Sequence, residues 1–263
     1  MKQVRFIFLI LIRARKPVTK LFKKKYPSKY RIHLEITYQC NLECNNCNRL
    51  CSQAPSNEHM TIEQIQTFMK ESTDNNVVWN WIIIGGGEPT LHPNILQILE
   101  MLLAYKKDYS RSARIELSTN GYGKAVKGIL SKVPNEIGIL NSSKESNVQR
   151  FCPINLAPID SVFHRSIDFS IGCDAVPDCG IALTPFGYYP CPVAGAIDRV
   201  FGFDIGRKKL PSFDDPMLEM LPKICKFCGA FRFAFRTKRQ VMSPSWEIAL
   251  ERYREKKPNL TRY

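Results

Sequence analysis

Apolar residues recur along this chain in two alternating rhythms. Short runs rich in β-branched residues, bounded by turn residues, read as strands: Ile32 to Thr37, Trp79 to Ile84, Arg114 to Ser118, Ile137 to Leu140 and Ile167 to Ile171. Between them lie stretches with a helical period. Thr61-x-x-Gln64 forms a capping box, opening a helix with Ile62, Ile65 and Met69 on one face. Pro93 suits the first turn of a helix carrying Ile95, Ile98, Leu99 and Leu102. A third helical pattern covers residues 123–132. Alternation of strand and helix predicts parallel βαβ units. Each polar or glycine-rich cluster follows a strand directly. In parallel α/β folds functional groups gather at the carboxyl ends of strands, so an active site on one face is expected. From about residue 173 the texture changes to Gly, Pro, Cys and aromatics with short turns, which predicts a small, loop-rich subdomain tied by cysteines.

Composition narrows the class. With 263 residues and 44% hydrophobic content the chain can build a real core, and wholesale disorder is excluded. The net charge of +14 is unevenly spread. Residues 1–31 hold eleven Lys/Arg and no acid; residues 223–263 carry a surplus of +8; the middle is at −5. A mildly acidic body with basic ends is not a uniformly basic nucleic-acid binder. Ten cysteines in a chain this long and apolar point to metal or cluster ligation in a reducing compartment, not to a disulfide framework. The apolar run Phe6 to Ile12 stops at Arg13, too short to span a bilayer and without a small-residue cleavage site after it. A cytoplasmic protein is expected.

The chemistry sits in two cysteine groups. Cys40, Cys44 and Cys47 form a CxxxCxxC directly after the first strand. Three thiolates on one loop suit a [4Fe–4S] cluster whose fourth iron has no protein ligand, leaving a position for chemistry. A structural zinc knot with Cys51 as fourth ligand is the competing reading. The loop Gly85-Gly86-Gly87-Glu88-Pro89 follows the second strand, one βα unit later. Alone it reads as a tight turn.

Together the two loops resemble the radical S-adenosylmethionine (SAM) superfamily. That resemblance implies an α/β fold, a partial (β/α) TIM-like barrel, with Cys40, Cys44 and Cys47 as both catalytic and cluster-holding residues. It implies SAM contacts from Gly86, Gly87 and Glu88, chiefly to the ammonium, and from Asn120 and Ser142 after the third and fourth strands. An ordinary turn residue is the competing role for Ser142. By resemblance the enzyme cleaves SAM reductively to a 5′-deoxyadenosyl radical, which abstracts hydrogen from a substrate. A reductant such as flavodoxin or ferredoxin would supply the electron. Asn46 stands where the family usually places an aromatic residue near the adenine. Only 51 residues separate Gly121 from Cys173, so the later barrel strands are expected to be shortened or replaced.

The second group is Cys173, Cys179, Cys191, Cys225 and Cys228. The stretch from Cys179 through Gly187 to Tyr-Pro-Cys191 resembles the start of a SPASM or Twitch extension. That implies an auxiliary [4Fe–4S] cluster held by Cys179, Cys191, Cys225 and Cys228, with Cys173 able to replace Cys179. Zinc is the competing metal. Cys51 and Cys152 read as packing residues. The expected organisation is a basic leader 1–31, a core 32–172, a cysteine-rich subdomain 173–230 and a basic tail 231–263. The alternative class is a non-enzymatic zinc- or cluster-tied scaffold or RNA-binding protein. Its surface would be the basic ends, with Phe231 to Arg236 stacking on bases. Small molecules, lipid-linked intermediates and RNA all remain as substrates.

The leader generates a prediction of its own. Each basic group near an anionic bilayer contributes about 1 kcal/mol, and the short apolar run adds burial without spanning. Peripheral, reversible membrane contact is therefore expected, with packing of Phe6 to Ile12 against the barrel wall as the competing reading. Full-length protein should pellet with anionic but not neutral vesicles and release at high salt. Deletion of residues 1–16 should abolish pelleting; equal sedimentation of that variant would refute the contact.

Overall fold

The computed structural model describes residues 24–146, 152–164, 167–232, 237 and 239–263. The run Phe6 to Ile12 and residues Phe233 to Arg236 lie outside them. Strand β1 (Arg31–Thr37) leads to helix α1 (Ile62–Asp74), β2 (Trp81–Gly86), α2 (Ile95–Asp108), β3 (Arg114–Thr119), α3 (Lys124–Leu130) and β4 (Gly138–Asn141). These four strands are parallel neighbours in stepwise order. Then come α4 (Ala175–Cys179), a hairpin of β5 (Ile181–Thr184) and β6 (Gly187–Tyr189), α5 (Pro192–Phe201), α6 (Leu221–Ile224) and α7 (Pro244–Glu255). Strand β5 adds parallel to the free side of β1, and β6 runs antiparallel at the edge. The fold is α/β, with one open sheet in the order β4-β3-β2-β1-β5-β6. It keeps the stepwise wall of a barrel but does not close. No helix among the described residues is long and apolar enough to cross a membrane.

Alternation along β1 explains how the sheet faces its helices. Ile32, Leu34 and Ile36 are fully buried on one side, in one core with Ile82, Ile84, Ile115 and Leu117. Ile65 and Phe68 of α1 and Ile98, Leu99 and Leu102 of α2 complete that core. The other face of β1 carries His33, Glu35 and Thr37, so the concave side of the sheet is polar. Helix α1 starts as its sequence predicts: the Thr61 hydroxyl accepts from the Gln64 amide at 3.2 Å and the Gln64 side chain accepts from the Thr61 amide at 3.0 Å.

Two strands differ from expectation. The second begins at Trp81, not Trp79, because Trp79 is drawn off the strand into the core. Its Nε1 donates to Ser72 Oγ at 2.9 Å and its carbonyl accepts from Ser110 Oγ at 3.0 Å. The run Ile167 to Ile171 is not a strand. Asp168 accepts from the Ser170 amide at 2.9 Å, a short 3₁₀ turn follows over Phe169–Ile171, and Gly172 ends it at φ 72°. The fifth parallel strand is Ile181–Thr184; with its hairpin partner Gly187–Tyr189 it extends the sheet on the β1 side, while β4 is the opposite edge, where a stepwise wall would continue.

The C-terminal segment folds onto the core. Trp246 of α7 is fully buried, and its Nε1 donates to the Phe227 carbonyl at 2.8 Å. The Tyr263 amide bonds to the Pro185 carbonyl at 3.0 Å, and its phenol donates to Glu71 at 2.8 Å. Two substitutions grade the α1 contribution. Phe68→Ala should remove about 3–5 kcal/mol of stability, a cavity effect at a site with no solvent exposure. Thr61→Ala should remove about 1 kcal/mol, the value of one helix cap. Equilibrium denaturation of the two variants checks the order and the sizes.

Candidate active site at the carboxyl ends of the strands

The loop after β1 places Cys40, Cys44 and Cys47 around a cavity of about 190 Å³. Its other walls include the backbone of Gly85–Gly87, Asn120, Ser142 and Lys144, and its floor includes His33, Arg49 and Ser118. The sequence-predicted residues thus come together, with one exception. The Glu88 carboxylate does not line the cavity. Glu88 is fully buried; Oε1 accepts from the Thr90 amide (3.2 Å), the Thr90 hydroxyl (2.8 Å) and the Thr119 hydroxyl (2.8 Å), and Oε2 from the Asn120 amide (2.7 Å). This side chain ties the loop after β2 to the loop after β3.

Gly86 and Gly87 are needed for contact between backbones. The Gly87 amide donates to Thr37 O and the Glu88 amide to Gln39 O, each at 2.8 Å. A Cβ on Gly86 or Gly87 would stand 2.2 Å from the Thr37 or Gln39 carbonyl oxygen respectively. Gly86 also sits at φ 134°. The glycine loop therefore fixes the chain immediately before Cys40. Asn120 holds the other side: its Nδ2 donates to Asn41 Oδ1 at 2.8 Å and approaches Cys40 Sγ at 3.9 Å. Lys144 Nζ lies 3.7 Å from Cys44 Sγ. Ser142 lines the cavity while its hydroxyl donates to Thr119 O at 3.0 Å. Asn46 is fully buried and does not line the cavity. Its Nδ2 donates to Arg239 O at 2.7 Å and its Oδ1 accepts from the Val241 amide at 2.9 Å.

The thiols differ in acidity. Burial pushes Cys40 up to about 11 and also raises Cys44, against the pull of Lys144. Cys47 falls to about 6, because the Cys51 thiol hydrogen-bonds it and outweighs its burial. Among the described residues no three Cys, His, Asp or Glu side chains close into a ready-made metal cage. The three thiols surround the cavity without meeting at its centre. The donor set still fits an iron–sulfur group: three sulfurs bordering one cavity, hydrogen-bond donors from Asn120 and Lys144, and no carboxylate competing for the same space.

The cavity floor holds residues that the motif reading passed over. Arg49 grips Glu35 with two hydrogen bonds, at 2.9 and 2.7 Å. Burial works against the Glu35 charge, but the Arg49 guanidinium prevails and holds that carboxyl below its usual range. Burial lowers His33 to about 4, leaving a neutral imidazole on the floor at ordinary pH. The available signal was the polar alternation His33-x-Glu35 in an otherwise apolar strand.

The second cysteine group lies at the opposite end of the sheet. Gly180, after Cys179, packs on Arg31 at the start of β1. The length of β1 alone separates the two ends by about 20 Å. Cys191 caps α5, and Cys225 and Cys228 flank a 3₁₀ turn. Cys179, Cys191, Cys225 and Cys228 are brought together with Cys173. Burial raises Cys191 and Cys225, and neighbouring thiols, Cys173 among them, push both further. Burial lifts Cys228 to about 12, with Cys173 and Cys179 adding to it. Burial also raises Cys179, and the Arg49 charge opposes this. All ten cysteines are free thiols.

The buried Glu88 gives a test of the loop geometry. Glu88→Gln places an NH₂ where only acceptors are wanted, leaving a buried polar group unmatched at a cost of about 1–3 kcal/mol. In a chain of this size that lowers the melting temperature by roughly 2–4 °C per kcal/mol. Thermal unfolding of the variant checks it; an unchanged melting temperature would show that Glu88 does not hold the two loops.

Residues 34–132 match the family described as the radical SAM superfamily. Among curated proteins, the chain is 36% identical over 100 residues to a probable GTP 3′,8-cyclase of Methanocaldococcus jannaschii, covering 38% of this chain and 31% of that protein. It is 32% identical over 108 residues to a GTP 3′,8-cyclase of Pasteurella multocida, covering 40% and 29%. The chain thus spans less than a third of the length of these relatives. Among solved structures, BtrN in complex with AdoMet and 2-DOIA aligns over 84% of this chain and 98% of its own, at 17% identity and a TM-score of 0.45. The family match contains both the three-cysteine loop and the glycine loop, at consecutive strand ends. Both motifs that carry the resemblance thus lie inside residues 34–132, the part of this chain that matches the radical SAM superfamily.

Proposed function

We propose that the chain is an enzyme that binds SAM beside Cys40, Cys44 and Cys47 and cleaves it reductively to take hydrogen from a substrate. The observation that carries this is the shared cavity. Three thiols and the Gly85–Gly87 backbone face one space at the ends of β1 and β2, inside the family match. A [4Fe–4S] group held there would supply the electron that opens the carbon–sulfur bond of SAM. The residues of the chain do the positioning. Asn120 and Lys144 direct hydrogens at the sulfurs of Cys40 and Cys44. The backbone of Gly86 and Gly87 receives the methionine end, and Glu88 acts on it only through the loops it joins. Ser142, committed to Thr119 O, borders the ribose side.

Cys191, Cys225 and Cys228, with Cys173 or Cys179, hold a second iron–sulfur group in this reading. A one-electron donor such as flavodoxin or ferredoxin serves as partner. The cavity floor of neutral His33, Ser118 and the Glu35–Arg49 pair favours a polar substrate. GTP, named for the relatives, is not carried over, because the family match ends at residue 132, before the second cysteine group.

Anaerobically reconstituted, dithionite-reduced protein should release 5′-deoxyadenosine from SAM. Cys44→Ala should lower the yield at least about a hundredfold, the scale for loss of a component required by the chemistry. Two [4Fe–4S] groups amount to about eight irons per chain, and the Cys40/Cys44/Cys47 triple Ala variant should keep about half. A fully loaded wild type that binds no SAM and yields no product would end the proposal. A triple variant holding one zinc and no iron would assign the second group to zinc.

A further inference from the structure

Arg199, on α5, is a buried cation with no carboxylate partner. It is 3% exposed. Its Nη1 donates to Ala54 O at 2.9 Å and to the Tyr253 hydroxyl at 2.6 Å, and its Nη2 to Leu50 O at 3.3 Å. Its Nε has no hydrogen-bond partner among the described residues. No Asp or Glu stands outside those residues, so none is left to complete an ion pair. The carboxylate that shares a small pocket with it, Glu58, is taken by Arg262. Burying a guanidinium among neutral groups is expensive unless a compensating negative charge lies near.

The direction in which Arg199 faces identifies that charge. Its Cζ sits 4.3 Å from the centre of the Tyr38 ring. Tyr38, Cys51, Phe186 and Leu260 form one small apolar cluster, and Cys40 and Cys47 pack against it. The Arg199 charge also acts on the Cys51 thiol, which hydrogen-bonds Cys47. One layer of side chains therefore separates the guanidinium from two of the three thiols at the candidate active site. The same guanidinium grips the carbonyls of Leu50 and Ala54, on the chain that leaves the cysteine loop.

We infer that Arg199 is the buried countercharge of the iron–sulfur group held by Cys40, Cys44 and Cys47, and that it sets that group's reduction potential from behind the loop. This rests on the function proposed above. Three thiolates give such a group net negative charge, and reduction adds one more. A fixed cation behind Tyr38 and Cys51 stabilises the reduced form more than the oxidised form. Arg199 touches neither SAM nor substrate; it is a positioning residue, acting through charge and through the loop it holds.

The test is a potentiometric titration of the reconstituted full chain, following the reduced-state EPR signal that the Cys40/Cys44/Cys47 triple Ala variant loses. Arg199→Gln keeps hydrogen-bonding capacity toward Leu50 and Ala54 but removes the charge. Its one-electron reduction should become about tenfold less favourable, a shift of about 59 mV to lower potential. Arg199→Lys keeps the charge and should stay close to wild type. Asn259 lines the same pocket as Arg199, so Asn259→Asp adds an opposing charge at constant size. It should move the potential the same way but by less than Arg199→Gln, because Asn259 is exposed and water screens its charge. If Arg199→Gln does not fold, Asn259→Asp decides alone. An unchanged potential in every variant tested overturns the inference, as does an equal shift in the Gln and Lys variants. A wild-type chain with no such signal overturns the proposed function, and this inference with it.

Discussion

Four hydrogen bonds converge on the Glu88 carboxylate, and the geometry of the candidate site depends on them. Thr90 supplies two, Thr119 one and the Asn120 amide one. They lock the exits of β2 and β3 together beneath the cavity. From this anchor the arrangement spreads outward. The glycine loop is held so close to Thr37 and Gln39 that no side chain fits, which fixes the chain entering the cysteine loop. Asn120, set by its own amide, reaches Asn41 and Cys40 on the other side. A buried carboxylate is tolerable here because every lone pair in use meets a donor.

The same anchor explains which parts of the molecule were legible in the sequence. Strand ends followed by Cys, Gly or Asn clusters were visible because each cluster is contiguous, and those loops do share one cavity. The role of Glu88 was not visible: its partners come from two different loops, and the sequence shows only that an acidic residue follows three glycines. The Glu35–Arg49 pair escaped for a similar reason, joining a strand residue to one beyond the cysteine loop. Ile167 to Ile171 had the composition of a strand, but Asp168 and Gly172 diverted it into a short turn. Local hydrogen bonding from an Asp side chain outcompetes strand propensity in so short a run. Trp79 was pulled off its strand by tertiary packing, which no local pattern records.

The two cysteine groups occupy opposite ends of one short strand, and the face of β1 between them is polar. His33 and Glu35 look into that space, and Arg49 reaches it from the cysteine loop. Arg49 acts toward both ends: it neutralises Glu35 and its charge also opposes the effect of burial on Cys179. A molecule on this face would contact a salt-bridged, nearly neutral floor with a group of thiols at either end. The hairpin of β5 and β6, added on the β1 side of the sheet, carries Cys179 just before it and Cys191 just after it.

The Asn46 clamp has a consequence in time. This residue, between the second and third thiols of the CxxxCxxC loop, is tied to Arg239 O across 193 positions of sequence and to the Val241 amide across 195. Contacts of such separation form late in folding, because the loop they close must first be ordered. On the ribosome the three-cysteine loop emerges early, while the segment that clasps Asn46 is still to be made. For most of synthesis the loop therefore lacks this outer brace. Arrival of residues 239–241 would then supply the two bonds to Asn46.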